Sequence, residues 1–150
     1  MKAIHIVLSL DLIKLSNLQP RRLSHLQNLF MELQPRKIGT KTLGLSEALK
    51  TNTTLSVLSL ESNLIGNEGA IVLSELLKGN TALVILVLLN SIEREGALDL
   101  SDVLKTNSTL STLNLTKNSI GDKEALALLE ALEANTALKA LDLFHSSVEK

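Results

Sequence analysis

Three histidines, recurrent carboxylates and scattered glycines are the residues of this chain that could do chemistry, and none of them forms a catalytic pattern. His5, His25 and His145 do not combine with one another at metal-ligand spacing, and the chain contains no Cys. Carboxylates recur on the predicted helices, where a solvated face accounts for them better than an acid–base pair. The glycines stand singly at predicted turns and form no phosphate-binding loop. The residues therefore predict a protein that is not an enzyme, with no catalytic residue, no metal site and no cofactor.

Composition narrows the class of partner. The net charge of −1 over 150 residues argues against a general nucleic-acid binder. No apolar run approaches the roughly 20 residues of a membrane-spanning helix, so no membrane insertion is expected. The absence of Cys favours a reducing compartment, which predicts a cytoplasmic protein. Composition therefore argues against nucleic acid and membrane as partners.

An internal repeat sets the positions of the side chains. The Asn of an N-[ST]-x-L motif recurs at nearly constant intervals, at Asn52, Asn80, Asn107 and Asn135. Within one unit, Leu58 and Leu60 follow the period of two that is typical of a strand. Ala70, Leu73 and Leu77 follow at the spacing of one helical stripe. Each unit is therefore predicted to consist of a strand, a loop, a helix and a second loop.

Stacking of the units is the way in which they can bury their apolar faces. One unit cannot cover both its strand face and its helix face, whereas neighbouring units can cover each other. The strands would then lie side by side as a parallel sheet, with the helices in a second layer. The sequence therefore predicts an α/β fold class with a core built mainly from Leu.

Asparagines recur at three positions of the repeat unit. Asn67, and Asp122 in a later unit, follow a glycine where a side-chain oxygen could cap the helix that begins there. The Asn of the N-[ST]-x-L motif follows each helix, where a left-handed helix end is expected. A third series follows the strands and is expected to form an amide ladder between units, at Asn63, Asn90 and Asn118.

A known family has the same pattern. The segment LSVLSLESNLIGNEGAIVLSELLKGNTAL, residues 55–83, resembles leucine-rich repeats of the ribonuclease-inhibitor-like subclass, a style also found in NOD-like receptors and in the Ran GTPase-activating protein. The resemblance implies an α/β leucine-rich-repeat solenoid, a right-handed superhelix with parallel strands on the concave side and helices on the convex side. It covers positions 38–150 as repeats of one nearly constant length, with the last unit truncated.

Residues 1–37 match the pattern poorly and are interpreted as degenerate N-terminal repeats or a cap. The segment NLFMELQPRKIG, residues 28–39, fits either a strand around Leu33 or part of a helix that begins at Arg21, and both alternatives stay open. At the other end, Val148 follows a strand with no covering helix. The chain is therefore expected to be a piece of a longer array, a degraded gene product, or a piece that self-associates through an uncapped C-terminal strand.

The strand residues that alternate with the core Leu residues are the candidate binding site. In the resembled subclass they line the concave face, which here comprises Val57, Ser59, Glu61, Ile85, Val87, Leu89, Thr112, Asn114, Thr116, Ala140, Asp142 and Phe144. The second set, Ile85, Val87 and Leu89, is apolar where its neighbours are polar. One hypothesis is a binding patch formed by this set, with Val57 beside it and Phe144 further along, because exposed apolar patches usually mark contacts. The alternative is a strand covered by another segment, or an aggregation-prone one.

The function that these observations predict is a non-catalytic protein–protein interaction module, part of a longer intracellular protein. The resemblance leaves a second alternative, a GTPase-activating-protein fragment, for which Arg94 lies in the loop after Asn90. A third alternative is a structural fragment with no partner of its own. No residue set in the chain marks a GTPase site.

Overall fold

Strands and helices alternate through the part of the chain that the structure, a computed structural model, describes: residues 46, 49–60, 65–89 and 91–144. The strands are β1 (Val57–Ser59), β2 (Ile85–Val87), β3 (Thr112–Asn114) and β4 (Ala140–Asp142). The helices are α1 (Gly66–Gly79), α2 (Arg94–Leu104) and α3 (Asp122–Ala134). The predicted order of strand, loop, helix and loop is confirmed. The predicted boundary at residue 38, the alternatives for residues 21–39 and Val148 lie outside the described residues, whereas the last predicted strand is β4.

The strands form one parallel sheet in the order β1-β2-β3-β4. Their central residues pair across the sheet in one column, at Leu58, Leu86, Leu113 and Leu141. The intervals between these partners along the chain are the same as those between successive motif asparagines. The sequence repeat is therefore also the spatial repeat, and each unit lies beside the next in the same direction.

The core lies between the sheet and the helices and is built mainly from aliphatic side chains. On the sheet side, Leu58, Leu86 and Leu113 are each 0% exposed. Leu73 and Leu100 meet them from α1 and α2 and are also fully buried. Burial of one such side chain contributes about 1.5–3 kcal/mol, so the repeated Leu positions supply the main driving force for stacking.

The expectation of a left-handed helix end at the motif asparagines is wrong. Asn80 follows α1 with φ −80° and ψ 124°, and Asn135 follows α3 with φ −87° and ψ 120°, both extended. Among the described residues other than Gly, Lys117 has a positive φ, of 57°. With this extended backbone, the Asn side chain lies inside the stack and forms its hydrogen bonds there.

The side chains of these asparagines join successive units. The Asn80 Nδ2 group donates to the carbonyl oxygens of Leu49 at 2.9 Å and Asn52 at 3.3 Å, both in the preceding unit. Its Oδ1 atom accepts from the backbone N–H groups of Ala82 and Leu83, at 3.0 and 2.8 Å. One amide therefore satisfies backbone groups on both sides of a unit boundary.

The same arrangement recurs in the next two units. Asn107 donates to the Leu77 carbonyl at 2.8 Å, and its Oδ1 atom accepts from Leu110 N–H at 2.8 Å. Asn135 donates to the carbonyls of Leu104 and Asn107. The motif asparagines therefore form an amide ladder between units. The sequence pattern predicts such a ladder for a different series, the asparagines that follow the strands.

The ladder that was predicted after the strands is also seen where the structure describes it. Asn118 donates to the carbonyl oxygen of Leu88 in the preceding unit, and its Oδ1 atom accepts from Ile92 N–H at 3.0 Å. Asn63 and Asn90 lie outside the described residues. The prediction is confirmed for Asn118.

Asn67 caps a helix, although not the helix that the sequence indicated. It lies inside α1, which begins at Gly66 without a side-chain cap among the described residues. Its Oδ1 atom accepts instead from the N–H groups of Glu93 at 2.8 Å and Gly96 at 3.1 Å, at the start of α2. A residue inside the first turn cannot serve as its own helix's N-cap, so its side chain is used by the next unit.

Candidate protein-binding surface

The predicted binding residues form rows across the sheet on the side opposite to the Leu column, here called the outer sheet face. The first row comprises Val57, Ile85, Thr112 and Ala140, and the second comprises Ser59, Val87, Asn114 and Asp142. Leu89, Thr116 and Phe144 each lie two residues beyond the second row. Glu61 lies outside the described residues. The structure therefore aligns the first two rows as the sequence predicted.

Exposure changes along the outer sheet face. Ser59 is 8% exposed and contributes little to the surface. Of the predicted apolar patch, Val57, Ile85, Val87 and Leu89 are half-buried. Phe144, two residues after β4, is 69% exposed. The face therefore opens towards β4, and its largest exposed apolar side chain lies there rather than on β2.

The main chain under this face is held by hydrogen bonds that continue past the strand ends. Leu60 N–H donates to Val87 O at 2.9 Å, and Leu88 N–H donates to Asn114 O at 2.8 Å. Leu115 N–H donates to the carbonyl oxygen of Asp142 at 2.8 Å. Backbone from each unit is thus fixed to backbone in the next, so the rows are formed before any partner arrives.

Two polar side chains of the second row also shape the strand exits. The Asn114 Oδ1 atom accepts from Thr116 N–H at 2.9 Å, and the Asp142 Oδ1 atom accepts from Phe144 N–H at 3.0 Å. These Asx-type bonds hold the following residue in place in both units. Thr116 and Phe144 are therefore presented from the same kind of turn.

Arg94, the residue considered for a GTPase-activating role, is placed away from the outer sheet face. It is the first residue of α2, and its side chain is 73% exposed. Its Nε atom lies 3.4 Å from Oε1 of Glu124, a carboxylate that is nearly buried at the start of α3. This ion pair links two helices in the helix layer.

Metal-binding clusters and membrane-spanning helices are two further features that bear on function. No group of three or more His, Asp or Glu side chains within it is arranged to hold a metal ion. None of the helices described there has the length and apolar character needed to cross a bilayer. The three histidines lie outside the described residues.

Sequence reasoning missed a set of exposed apolar side chains on other surfaces. Val84 precedes β2 and is exposed, and four more lie on the helices, namely Ile71, Leu98, Leu126 and Leu129. Ile71, Leu98 and Leu126 each lie nine residues before a motif asparagine, so they occupy one repeat position. Comparison of helix positions between units could have found this row.

Comparison with known proteins supports the repeat assignment. A sequence profile of the leucine-rich repeat family matches residues 51–74 and 106–129. These two segments are equivalent parts of two units, each running from the residue before a motif asparagine into the following helix. No curated protein sequence gave a significant match.

Solved structures resemble the chain, and two of them show the extent of the likeness. One is the actin-binding site 2 of leiomodin-1, with 21% identity, a TM-score of 0.66, and coverage of 84% of this chain and 80% of that one. The other is the C-terminal domain of Caenorhabditis elegans tropomodulin, with 19% identity, a TM-score of 0.64, and coverage of 73% and 68%. At these identities the likeness concerns the fold.

Profile matches, structural neighbours and the observed architecture agree. The four described strands are parallel, alternate with helices and recur with the period of the sequence repeat. The chain therefore has the fold of an α/β leucine-rich-repeat solenoid.

Proposed function

We propose that the chain is a non-catalytic protein–protein interaction module that binds its partner through the outer sheet face. The observation that carries the proposal is the register of the sheet, which sets side chains of differing chemistry in straight rows on a hydrogen-bonded frame. A preformed surface loses little conformational entropy on binding. Because the Leu column is the same in each unit, specificity would come from the residues that alternate with these Leu residues and differ between units.

The chemistry of the face suggests how a partner would fit. Ile85 and Val87 provide half-buried apolar surface near its centre, and Thr112 and Asn114 follow with hydrogen-bonding groups. Phe144 would be the apolar anchor at the open side, since aromatic side chains contribute strongly to interfaces. A matching partner would carry an apolar strip opposite Ile85 and Val87, and polar groups opposite β3 and β4.

Actin is the first partner to test. One of the structurally similar proteins is described as an actin-binding site, of leiomodin-1. That likeness supports the choice of probe and does not assign the partner. A cytoplasmic location, the ribonuclease-inhibitor-like subclass and membership of a longer protein are part of the same proposal.

The experiment measures binding of the purified chain to monomeric actin by fluorescence anisotropy and to filaments by co-sedimentation. Val87→Lys and Phe144→Ser each alter the outer sheet face, and Leu98→Ser is the control because Leu98 is exposed on the helix layer. We expect the two face variants to weaken binding about tenfold or more, the effect of losing one good apolar contact. Circular dichroism checks that each variant is folded.

The outcomes separate the partner from the face. If neither form of actin binds, actin is not the partner. If actin binds and the face variants behave as Leu98→Ser does, the outer sheet face is not the binding surface.

A further inference from the structure

One side of α3 carries exposed Leu side chains between acidic residues. Asp122, Leu126, Leu129 and Glu133 are spaced by four, three and four residues, so they form one stripe along the helix, here called the open flank of α3. Leu126 is 58% exposed and Leu129 is 50% exposed. Asp122 and Glu133 are exposed at the two ends of the stripe.

Leu129 occupies a repeat position that holds Ser in the earlier units. Ser46, Ser74 and Ser101 each lie six residues before a motif asparagine, as Leu129 does, and they are 1%, 3% and 2% exposed. The Ser46 Oγ atom donates to the Val72 carbonyl of α1 at 3.3 Å, so this position faces the next helix of the stack. Leu129 therefore faces the side on which a further helix would lie.

A further unit stacked at the same spacing would have to accommodate a Leu where the earlier units hold a buried Ser. Helices of the stack approach closely, since a Cβ atom added at Gly96 in α2 would lie 2.7 Å from the Ala70 Cβ atom in α1. Ser is small enough for such an interface, whereas a Leu in the same position would overpack it. The open flank is therefore suited to an element that lies farther out and offers apolar contacts of its own.

A second copy of the chain is disfavoured by charge. Antiparallel pairing of two α3 helices that sets Leu126 of one copy against Leu129 of the other would set Asp122 against Glu133. Like charges facing each other destabilise such a pair. The other charged residues of α3 are Lys123, Glu124 and Glu130, of which Glu124 is nearly buried beside Arg94.

We propose that the open flank of α3 binds an amphipathic helix of a partner protein, with apolar residues at its centre and basic residues towards its ends. The apolar centre would cover Leu126 and Leu129, and the basic ends would lie near Asp122 and Glu133. This site lies in the helix layer and does not depend on the outer sheet face.

Two synthetic helical peptides test the proposal by fluorescence anisotropy with the full chain. Both are about 18 residues long, enough for a helix to form. They share one apolar centre and carry either Lys or Glu at the ends. We expect the Lys peptide to bind at least about tenfold more tightly than the Glu peptide, and its binding to weaken as salt is raised.

Three variants locate the site. Leu129→Ser restores the residue of the earlier units, so the fold should be retained, and it should weaken the Lys peptide about tenfold. Glu133→Lys suits a helix C-terminus and should reduce the preference for the Lys peptide. Leu98→Ser, on the neighbouring helix, should change neither the affinity for the Lys peptide nor the preference for it over the Glu peptide.

Specific results would overturn the proposal. Equal binding of the two peptides, no binding, or an unchanged affinity after Leu129→Ser would remove the site. Analytical ultracentrifugation gives the remaining check: a concentration-dependent dimer that Leu129→Ser abolishes would show that a second copy is the occupant.

Discussion

The Asn80 side chain donates a 2.9 Å hydrogen bond to the carbonyl oxygen of Leu49, 31 residues earlier in the chain. The bond is buried and crosses from one repeat unit to the one before it. With the equivalent bonds of Asn107 and Asn135, it ties helix ends and strand starts into one frame. The outer sheet face depends on this frame for its register.

Replacing Asn107 by Ala should show how much the amide ladder contributes. Asn107 satisfies the Leu77 carbonyl and the N–H groups of Thr109 and Leu110, and its own side chain is buried. Leaving buried partners unsatisfied should lower the free energy of unfolding by about 2–5 kcal/mol. Urea denaturation followed by circular dichroism measures the change.

Asn135→Ala is the matched control, because Asn135 makes the same bonds where the residue is only half-buried. Water can replace those bonds more easily there, so its loss of stability should be smaller. Equal losses for the two variants would contradict the role given to burial.

Leu113→Ala should open a cavity in the middle of the stack. Leu113 is 0% exposed and lies between Leu86 and Leu141 in the central column. The expected cost is about 2–5 kcal/mol of unfolding free energy, the range for deleting a buried Leu side chain. Leu141→Ala, at the half-buried end of the column, should cost less. A loss under about 0.5 kcal/mol for Leu113→Ala would place that residue outside the core.

Gly96→Ala tests the close approach of α1 and α2. The new Cβ atom would lie 2.7 Å from the Ala70 Cβ atom and 3.0 Å from the Asn67 Oδ1 atom, so the helices must separate. We expect a loss of about 1–3 kcal/mol in thermal or urea unfolding. A Cβ atom at Gly79 would have nothing within 4 Å, so Gly79→Ala should be neutral or stabilising by about 0.4–1 kcal/mol. Similar effects of the two substitutions would mean that the helices are not tightly packed.

The repeat and the strand register could be predicted from the sequence because they follow from the spacing of Leu. Leu58 and Leu86 occupy equivalent positions, and stacking requires equivalent positions to lie side by side. The contacts of the asparagines could not be predicted in this way. Asn80 and Asn67 have the local context of helix caps, yet each also bonds atoms that lie 26 to 31 residues away.

Exposure was also hard to predict, because it depends on what lies beside a residue in space. Ser59 alternates correctly with Leu58 and is nevertheless buried, at 8% exposed. Leu129 occupies the position of a buried Ser and is exposed, because no helix follows α3 within the described residues. The sequence pattern predicts the face of a strand or helix on which a residue lies. It does not predict what packs against that face.

Site-specific photo-crosslinking tests the proposed function of the outer sheet face most directly. A photoreactive amino acid is placed at Val87, on this face, or at Leu98, on the helix layer, in the chain expressed in its own cells. We predict a discrete cross-linked partner from Val87 that is competed by excess unlabelled protein and is absent from Leu98. Cross-linking from Leu98 with none from Val87 would contradict the assignment of the binding surface to the sheet.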